Sequence, residues 1–177
     1  LNPNAELLYH DNWLEEAFRP GLRQENTISL SGGNDKTQYY ASLGYLYDNS
    51  YTVNSNMNCI NARVKLDQVV TNWFKAGFNM AYSNVKTNSP NVGGSNYSSI
   101  FMFGQNVAPI YPVYMYDAEG NRMTDSQGNP LYDYGVEMGK RPYGANAHPI
   151  AQQLHDIYRG NSDVINAKVY GEFTFLK

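Results

Sequence analysis

Polar and apolar positions alternate along much of this chain, and most regularly between Cys59 and Ser83. Ile60, Ala62, Val64 and Leu66 hold one parity, while Asn61, Arg63, Lys65 and Asp67 hold the other. After Val69-Val70-Thr71-Asn72 the alternation resumes. Phe74, Ala76, Phe78, Met80 and Tyr82 stand against Lys75, Gly77, Asn79 and Ser83, with Trp73 and Ala81 as apolar exceptions. Successive side chains of a strand point to opposite faces, so a period of two gives each segment one apolar and one polar face. A helix would scatter the same residues around its circumference. The two segments therefore predict a hairpin. Each alternates for roughly 8–10 residues, beyond the roughly 5–6 of an ordinary strand and close to the span of a tilted strand crossing a bilayer. Arg63 and Lys65 in mid-strand suit a wet lumen. A long antiparallel sandwich gives the same pattern, so the hairpin alone leaves both architectures open.

The same reading predicts five strands, at about 24–31, 38–47, 59–70, 73–83 and 164–176. Gly32-Gly33-Asn34-Asp35 supplies a turn after the first, since Gly and Asn tolerate positive φ. The second carries Tyr39, Ala41, Leu43, Tyr45 and Tyr47 on one face, and Tyr40, Ser42 and Gly44 on the other. The fifth sets Ile165, Ala167, Val169, Gly171, Phe173 and Phe175 against Asn166, Lys168, Tyr170, Glu172 and Thr174. Ahead of the strands, Asp11 or Asn12 caps a short helix that Pro20-Gly21 stops. Residues 84–162 break the alternation. A short helix is expected within 98–107, a small hairpin around the turn signals 117–121 and 125–129, and a helix from Pro149 to Tyr158 burying Ile150, Leu154 and Ile157.

The connections alternate short and long, which is the arrangement of outer-membrane barrels with short periplasmic turns and long external loops. On that polarity Tyr45, Tyr47 and Tyr82 fall at the outer rim, and Tyr39, Trp73, Phe74 and Phe175 at the inner one. Two aromatic girdles follow from a single assignment, which a sandwich does not predict. The expected fold is all-β: an antiparallel transmembrane β-barrel segment with a long extracellular loop, about 84–162, containing short helices.

Trp13 with Glu16, Phe18-Arg19 and Gly21, then Ser29-Leu30-Ser31-Gly32-Gly33, then Tyr39-Tyr40-Ala41-Ser42-Leu43-Gly44-Tyr45, closely resemble the early-to-middle barrel of SusC/RagA-type TonB-dependent transporters of Bacteroidetes. Asn61-Ala62-Arg63-Val64-Lys65-Leu66-Asp67, with Trp73 and Gly77, and Asn166-Ala167-Lys168-Val169 also match that pattern. Asp48-Asn49-Ser50 departs from the Gly-containing loop associated with the family, which bears on loop shape. The resemblance implies a barrel of about 22 strands with a plugged lumen in the outer membrane. It also implies a SusD-like surface lipoprotein on the extracellular loops and energy from TonB acting on the plug. Neither a plug nor a TonB-contacting segment is read in these residues. The chain begins at Leu1 without a signal-peptide pattern and ends within the alternating run Phe173–Lys177, so a piece of a larger protein is expected.

Composition changes this picture little. A formal charge of −3 and the lack of a basic run give no reason to expect nucleic-acid binding. Cys59 stands alone, so no intrachain disulfide is possible. Of the three histidines, His148 and His155 are seven apart without an intervening carboxylate at a ligand position, and no metal or other cofactor is expected. Asp117, Glu119 and Asn121 begin like a calcium loop, but Arg122 stands where Gly is required and Gly128 where the bidentate Glu belongs. With no nucleophile–base signature, an enzyme is not expected. Binding chemistry concentrates instead in the external loop, where Tyr111, Tyr114, Tyr116, Tyr132 and Tyr134 are candidates for a ligand or partner surface. The competing role for these five rings is packing the loop's own small core. The expected function is energy-coupled import of an oligosaccharide or peptide; the alternative is a surface β-sandwich binding glycan or protein.

Overall fold

The computed structural model describes residues 11–89, 95–137 and 140–175. Contacts divide the chain into two units, one of sheet and one of loop and helices. The elements in order are α1 (Trp13–Ala17), β1 (Leu22–Gly33), β2 (Thr37–Asn49), β3 (Asn56–Thr71), β4 (Phe74–Asn88), α2 (Ile100–Asn106), α3 (Pro149–His155) and β5 (Arg159–Phe173).

The sheet unit is an antiparallel meander in the order β1-β2-β3-β4-β5. Its register aligns the apolar parities of all five strands. Ile28–Leu43–Ala62–Tyr82–Ile165 form one row, Leu30–Ala41–Val64–Met80–Ala167 the next, and Gly32–Tyr39–Leu66–Phe78–Val169 a third. The opposite face carries Ser29–Ser42–Arg63–Ala81–Asn166 and Ser31–Tyr40–Lys65–Asn79–Lys168. A one-residue slip would exchange the faces, so the alternation fixes the register. Val64 sits in the central strand yet is 45% exposed, and Leu66 is 42% exposed. The described strands form a single sheet. The sandwich alternative therefore finds no second layer among the described residues.

β1, β2 and β3 run past both expected ends, and β4 and β5 past the ends beside the fourth connection, because most terminal residues there are polar and do not alternate; β4 starts at Phe74 instead of 73, and β5 stops at Phe173, short of the expected 176. With β4 reaching Asn88 and β5 starting at Arg159, the fourth connection spans 89–158, not 84–162. The first turn is also displaced. Gly32 and Gly33 belong to β1, and the Asn34 side chain closes the turn by accepting from the amides of Lys36 and Thr37, each at 2.9 Å. Gly32 is needed for space, since a Cβ there would strike the Tyr39 ring. At one end of the apolar face Phe74 and Phe173 stack at 4.7 Å, flanked by Trp73 and Phe175. At the other end the Tyr82 hydroxyl donates to Asp163 at 2.7 Å and Tyr45 to Asn58 at 3.1 Å. Ten residues of β5 separate Asp163 from Phe173, about 33 Å along a strand.

The loop unit comprises residues 1–20, 51–54 and 90–158, of which 11–20, 51–54, 95–137 and 140–158 are described. Its core gathers Trp13, Ala17, Ile100, Phe103, Val107, Val113 and Ile150. Each helix is short and held by a cap. Asn12 accepts from the Leu14 amide, Ser99 from Met102, and the His148 ring from Ala151. α3 ends at His155, short of Tyr158. It buries Ile150 and Ala151, while Leu154 and Ile157 lie at 40% and 74% exposure, so the expected i, i+4, i+7 face is not the packed one. The extended chain leading into β5 takes Ile157 away from the core.

Candidate functional site

The loop unit is organised by a repeat that the residue types encode. Asp-x-x-Gly-Asn recurs at 117–121 and 125–129 with a period of eight, and Asp133 stands eight further on. Each Asp side chain accepts from the amides two and four residues on: Asp117 from Glu119 and Asn121, and Asp125 from Gln127 and Asn129, at 2.8–3.0 Å. Asp133 accepts from Gly135 in the same way. Gly120 and Gly128 take φ of +84° and +86°, the left-handed conformation that Gly adopts without steric cost. The repeated turns bring positions 115, 123 and 131 together in a closed ring. The Met115 amide donates to the Leu131 carbonyl, Met123 to Met115, and Leu131 to Met123, at 2.8–2.9 Å. The single small hairpin expected from the turn signals is thus a three-sided array.

The segment ahead of α1 ties into this array through charge. The Asp11 carboxylate is buried and accepts from the Val113 and Tyr114 amides, the Tyr116 hydroxyl and Arg122 Nη2. Arg122 also donates to Glu16 at 3.0 Å and lies 4.1 Å over the Tyr114 ring, whose hydroxyl donates to Glu16 at 2.6 Å. Burial, then the Glu16 contact, pushes the Tyr114 hydroxyl well above its usual range, and burial with the Asp11 contact raises that of Tyr116. Burial works against the Arg122 charge, but its bonds to Tyr116 and Glu16 outweigh it and hold the guanidinium protonated.

His148 and Arg141 brace the other side. His148 Nδ1 accepts from the Ala151 amide at 3.0 Å while Nε2 faces the Val113 carbonyl at 2.8 Å, so the ring is the neutral Nε2–H tautomer. Burial depresses its pKa to about 4. Arg141 is 1% exposed and donates to the carbonyls of Tyr143, Gly144 and Ala147, with its guanidinium over the Phe103 and Trp13 rings.

Of the five candidate tyrosines, Tyr114 and Tyr116 are buried, and Tyr111 and Tyr132 are half-buried against the core. Tyr134 is 38% exposed. It stands with exposed Tyr97, which the sequence reading passed over, in the lining of an open groove of about 440 Å³ with Asn146, Gln152, His155 and Asp156. The bracing hydrogen bonds of Asp11, Arg122 and Arg141, and the capping role of His148, were also missed. The eight-residue period was the available signal for the array; Asp11 was marked only as a possible cap of α1, a role that Asn12 takes, and nothing local marks its contacts with 113–122. Among the described residues no cluster could hold a metal, and His10 lies outside them.

On the polar face of the sheet, Lys65 pairs with Asp67 at 2.6 Å, and Asp67 accepts from the Tyr170 hydroxyl. Tyr170 lies across Gly77, where any Cβ would strike its ring. Arg63 lines a shallow depression of about 350 Å³ whose floor is kept open by Thr27, Ser42, Gly44 and Ser83.

Long strands in one meander, with a register-aligned apolar face on one side and charged residues on the other, define the class: an antiparallel sheet of the kind that forms a barrel wall. No family model matches the chain. TonB-dependent receptor P3 of Formosa agariphila is 24% identical over 155 residues, covering 85% of this chain and 14% of that protein. TonB-dependent receptor P26 of the same organism is 25% identical over 129 residues, covering 72% and 12%. The structure of the RagAB peptide transporter, and that of the RagAB peptide importer in its closed-closed state, each superpose with a TM-score of 0.68 at 23% identity. Each covers 96% of this chain and 18% of that one, which shows the fold. The chain is therefore similar to a segment of a SusC/RagA-type TonB-dependent transporter, spanning less than a fifth of the proteins it matches.

Proposed function

We propose that this chain is part of the barrel wall of an outer-membrane TonB-dependent importer for oligosaccharides or peptides. The barrel has about 22 strands. The three apolar rows face lipid, the Arg63 and Lys65 rows face the lumen, and residues 89–158 stand outside the cell beside a SusD-like lipoprotein. TonB supplies the energy through the plug, and transport involves no covalent chemistry. The open edges of β1 and β5 pair with the neighbouring strands of the full barrel, since five strands cannot close one and unpaired backbone groups cannot face lipid. The observation that carries this reading is the register: fifteen positions from five strands form one face, and every one is apolar, aromatic or glycine. The named relatives support it, being TonB-dependent receptors and a peptide transporter.

The test is made on the full-length gene product in its own host. It should sediment with outer membranes and require detergent for release. Leu66→Arg places a cation in the apolar band at a cost of about 2–4 kcal/mol and should sharply reduce assembled protein, while Lys65→Ala on the other face should not. A full-length product that stays in the soluble fraction, or equal tolerance of both substitutions, would overturn the reading.

A further inference from the structure

We infer that one end of the sheet's apolar face is a docking surface for a large phosphorylated lipid headgroup, with Lys86 and Arg159 as its phosphate contacts. The inference rests on the importer reading, which turns this face to lipid, and names a lipid chemistry that the reading leaves open. The register carries the face on beyond its Ile28 row. Three further rows follow, from Asn26–Asp163 to Leu22–Arg159, and eight of their fifteen side chains are amides. The change is confined to one end. At the other end the next row is Thr37–Gln68–Ala76–Gly171, and neither that row nor the stacked Phe74 and Phe173 beyond it holds a charge. The three added rows hold Lys86, Arg159 and Asp163. Asp163 is engaged within the sheet, accepting from the Tyr82 hydroxyl at 2.7 Å and from Asn84 Nδ2 at 2.8 Å. Lys86 and Arg159 are exposed, and neither has an ion pair among the described residues. Lys86 pairs with Asn161, and Asn88 with Arg159, so the two cations stand on adjacent strands, two positions apart on one face. Such diagonal neighbours are about 7–8 Å apart, close enough for two long side chains to reach one phosphate.

Height and charge select the occupant. The six positions from Ile28 to Leu22 extend about 20 Å along a strand and rise about 15 Å at a tilt of about 40°. The polar layer of an ordinary phospholipid leaflet is about 5–8 Å thick. The polar rows outreach that layer roughly twofold and match a lipid whose head is larger, rich in hydroxyls and phosphorylated. Amides exchange hydrogen bonds with hydroxyls, and the two cations make charge-assisted bonds to phosphate. Continuity favours lipid over protein, because these rows prolong, strand by strand, the rows that face lipid. Around Lys86 the neighbouring positions on the face are Asn58, Asn84, Asn88 and Asn161, which supply no apolar centre of the kind a protein interface is built on.

The experiment is native mass spectrometry of the full-length protein, released from outer membranes in neutral detergent and titrated with defined probes. These are diphosphorylated lipid A, the same lipid A with its phosphates removed, and phosphatidylcholine, with inorganic phosphate as competitor. The expected result is retention of diphosphorylated lipid A in preference to both other lipids. Its affinity should fall about fivefold in Lys86→Gln and in Arg159→Gln, and about twentyfold in the double variant. Asp163→Asn keeps an oxygen to accept from Tyr82 but removes the opposing charge, so it should bind the phosphorylated lipid more tightly. Lys168→Gln, on the opposite face, should bind as the parent does. Equal retention of the dephosphorylated lipid, or an affinity unmoved in the double variant, would overturn the surface. Displacement by inorganic phosphate would make it a free-anion site, and a copurifying protein lost in the same variants would make it a protein interface; either result overturns the lipid assignment. Failure of the importer reading is separately visible, because the protein would then not fractionate with outer membranes.

Discussion

The loop unit and the sheet unit use apolar residues in opposite ways. In the loop unit Phe103, Val113 and Ile150 are at most 2% exposed, enclosed by residues of the same unit. In the sheet Ile28 and Val169 are 77% exposed, and even Val64, with a strand on each side, keeps nearly half its surface. The loop unit contains its own core; among the described residues the sheet's apolar face has no second layer. The hydrophobic effect holds the first together as in any soluble domain. The second is held by its ladder of backbone hydrogen bonds and by strand pairing.

That contrast makes the two units separable by mutation. The largest effect is expected from Phe103→Ala, which empties the centre of the loop core at a cost of about 3–5 kcal/mol. Hydrogen exchange of the membrane-assembled protein should show deprotection across 95–158 with β1–β5 still protected. Leu66→Arg should do the converse, depleting assembled protein without an exchange signature of its own in the loop. Equal spreading of either effect over both units would break the comparison.

Acid sharpens it next. His148 titrates near 6.5 when unfolded and about 4 in place, because burial opposes its charged form. Between those values the unfolded loop binds the extra proton. Its stability is therefore complete above about pH 6.5 and falls as pH drops toward 4, by on the order of 3 kcal/mol in all. Protonation also removes the Nδ1 acceptor that caps α3. Exchange in 95–158 should accelerate over that window. His148→Asn keeps a capping acceptor without titrating, so it should flatten the profile; an unchanged profile would exclude His148 as the source.

How legible each unit was in the sequence follows from the same physics. In the sheet every residue from Ile60 to Leu66 reports its own face through its polarity, because the alternation along the strand is strict. Five strands and their relative faces could be read locally. Only the ends failed, where Asn56 to Asn58 and Asn84 to Asn88 are mostly polar and break the alternation. The loop unit depends on partners about 100 residues apart, such as Asp11 with Val113 and Gln153 with Val53. No local period announces those. The five tyrosines illustrate the difference: their abundance was plain, but burial separates Tyr116 from Tyr134, and only the folded loop shows that Tyr97 joins the latter. The eight-residue repeat was local and readable. It was obscured because its signature is turn chemistry, not hydrophobic period.

The smallest expected effect concerns glycine, which the two units need for different reasons. Gly128 has a φ of +86°, and a Cβ added there would meet nothing within 4 Å, so the loop requires its backbone freedom. Gly77 is in extended β4, where an added Cβ would collide with the Tyr170 ring, so the sheet requires its missing side chain. Gly128→Ala should therefore cost about 1–2 kcal/mol from backbone strain alone. Gly128→Asn should cost less, because Asn tolerates the left-handed conformation. At Gly77 the order reverses: Asn is larger than Ala and should displace Tyr170 from Asp67 at least as strongly. Exchange rates at 115–131 for the first pair, and at 67 and 170 for the second, give the comparison directly. If Asn and Ala are equally damaging at position 128, positive φ is not what that turn demands, and the repeated Asp-x-x-Gly-Asn turns must owe their shape to the Asp side chains alone.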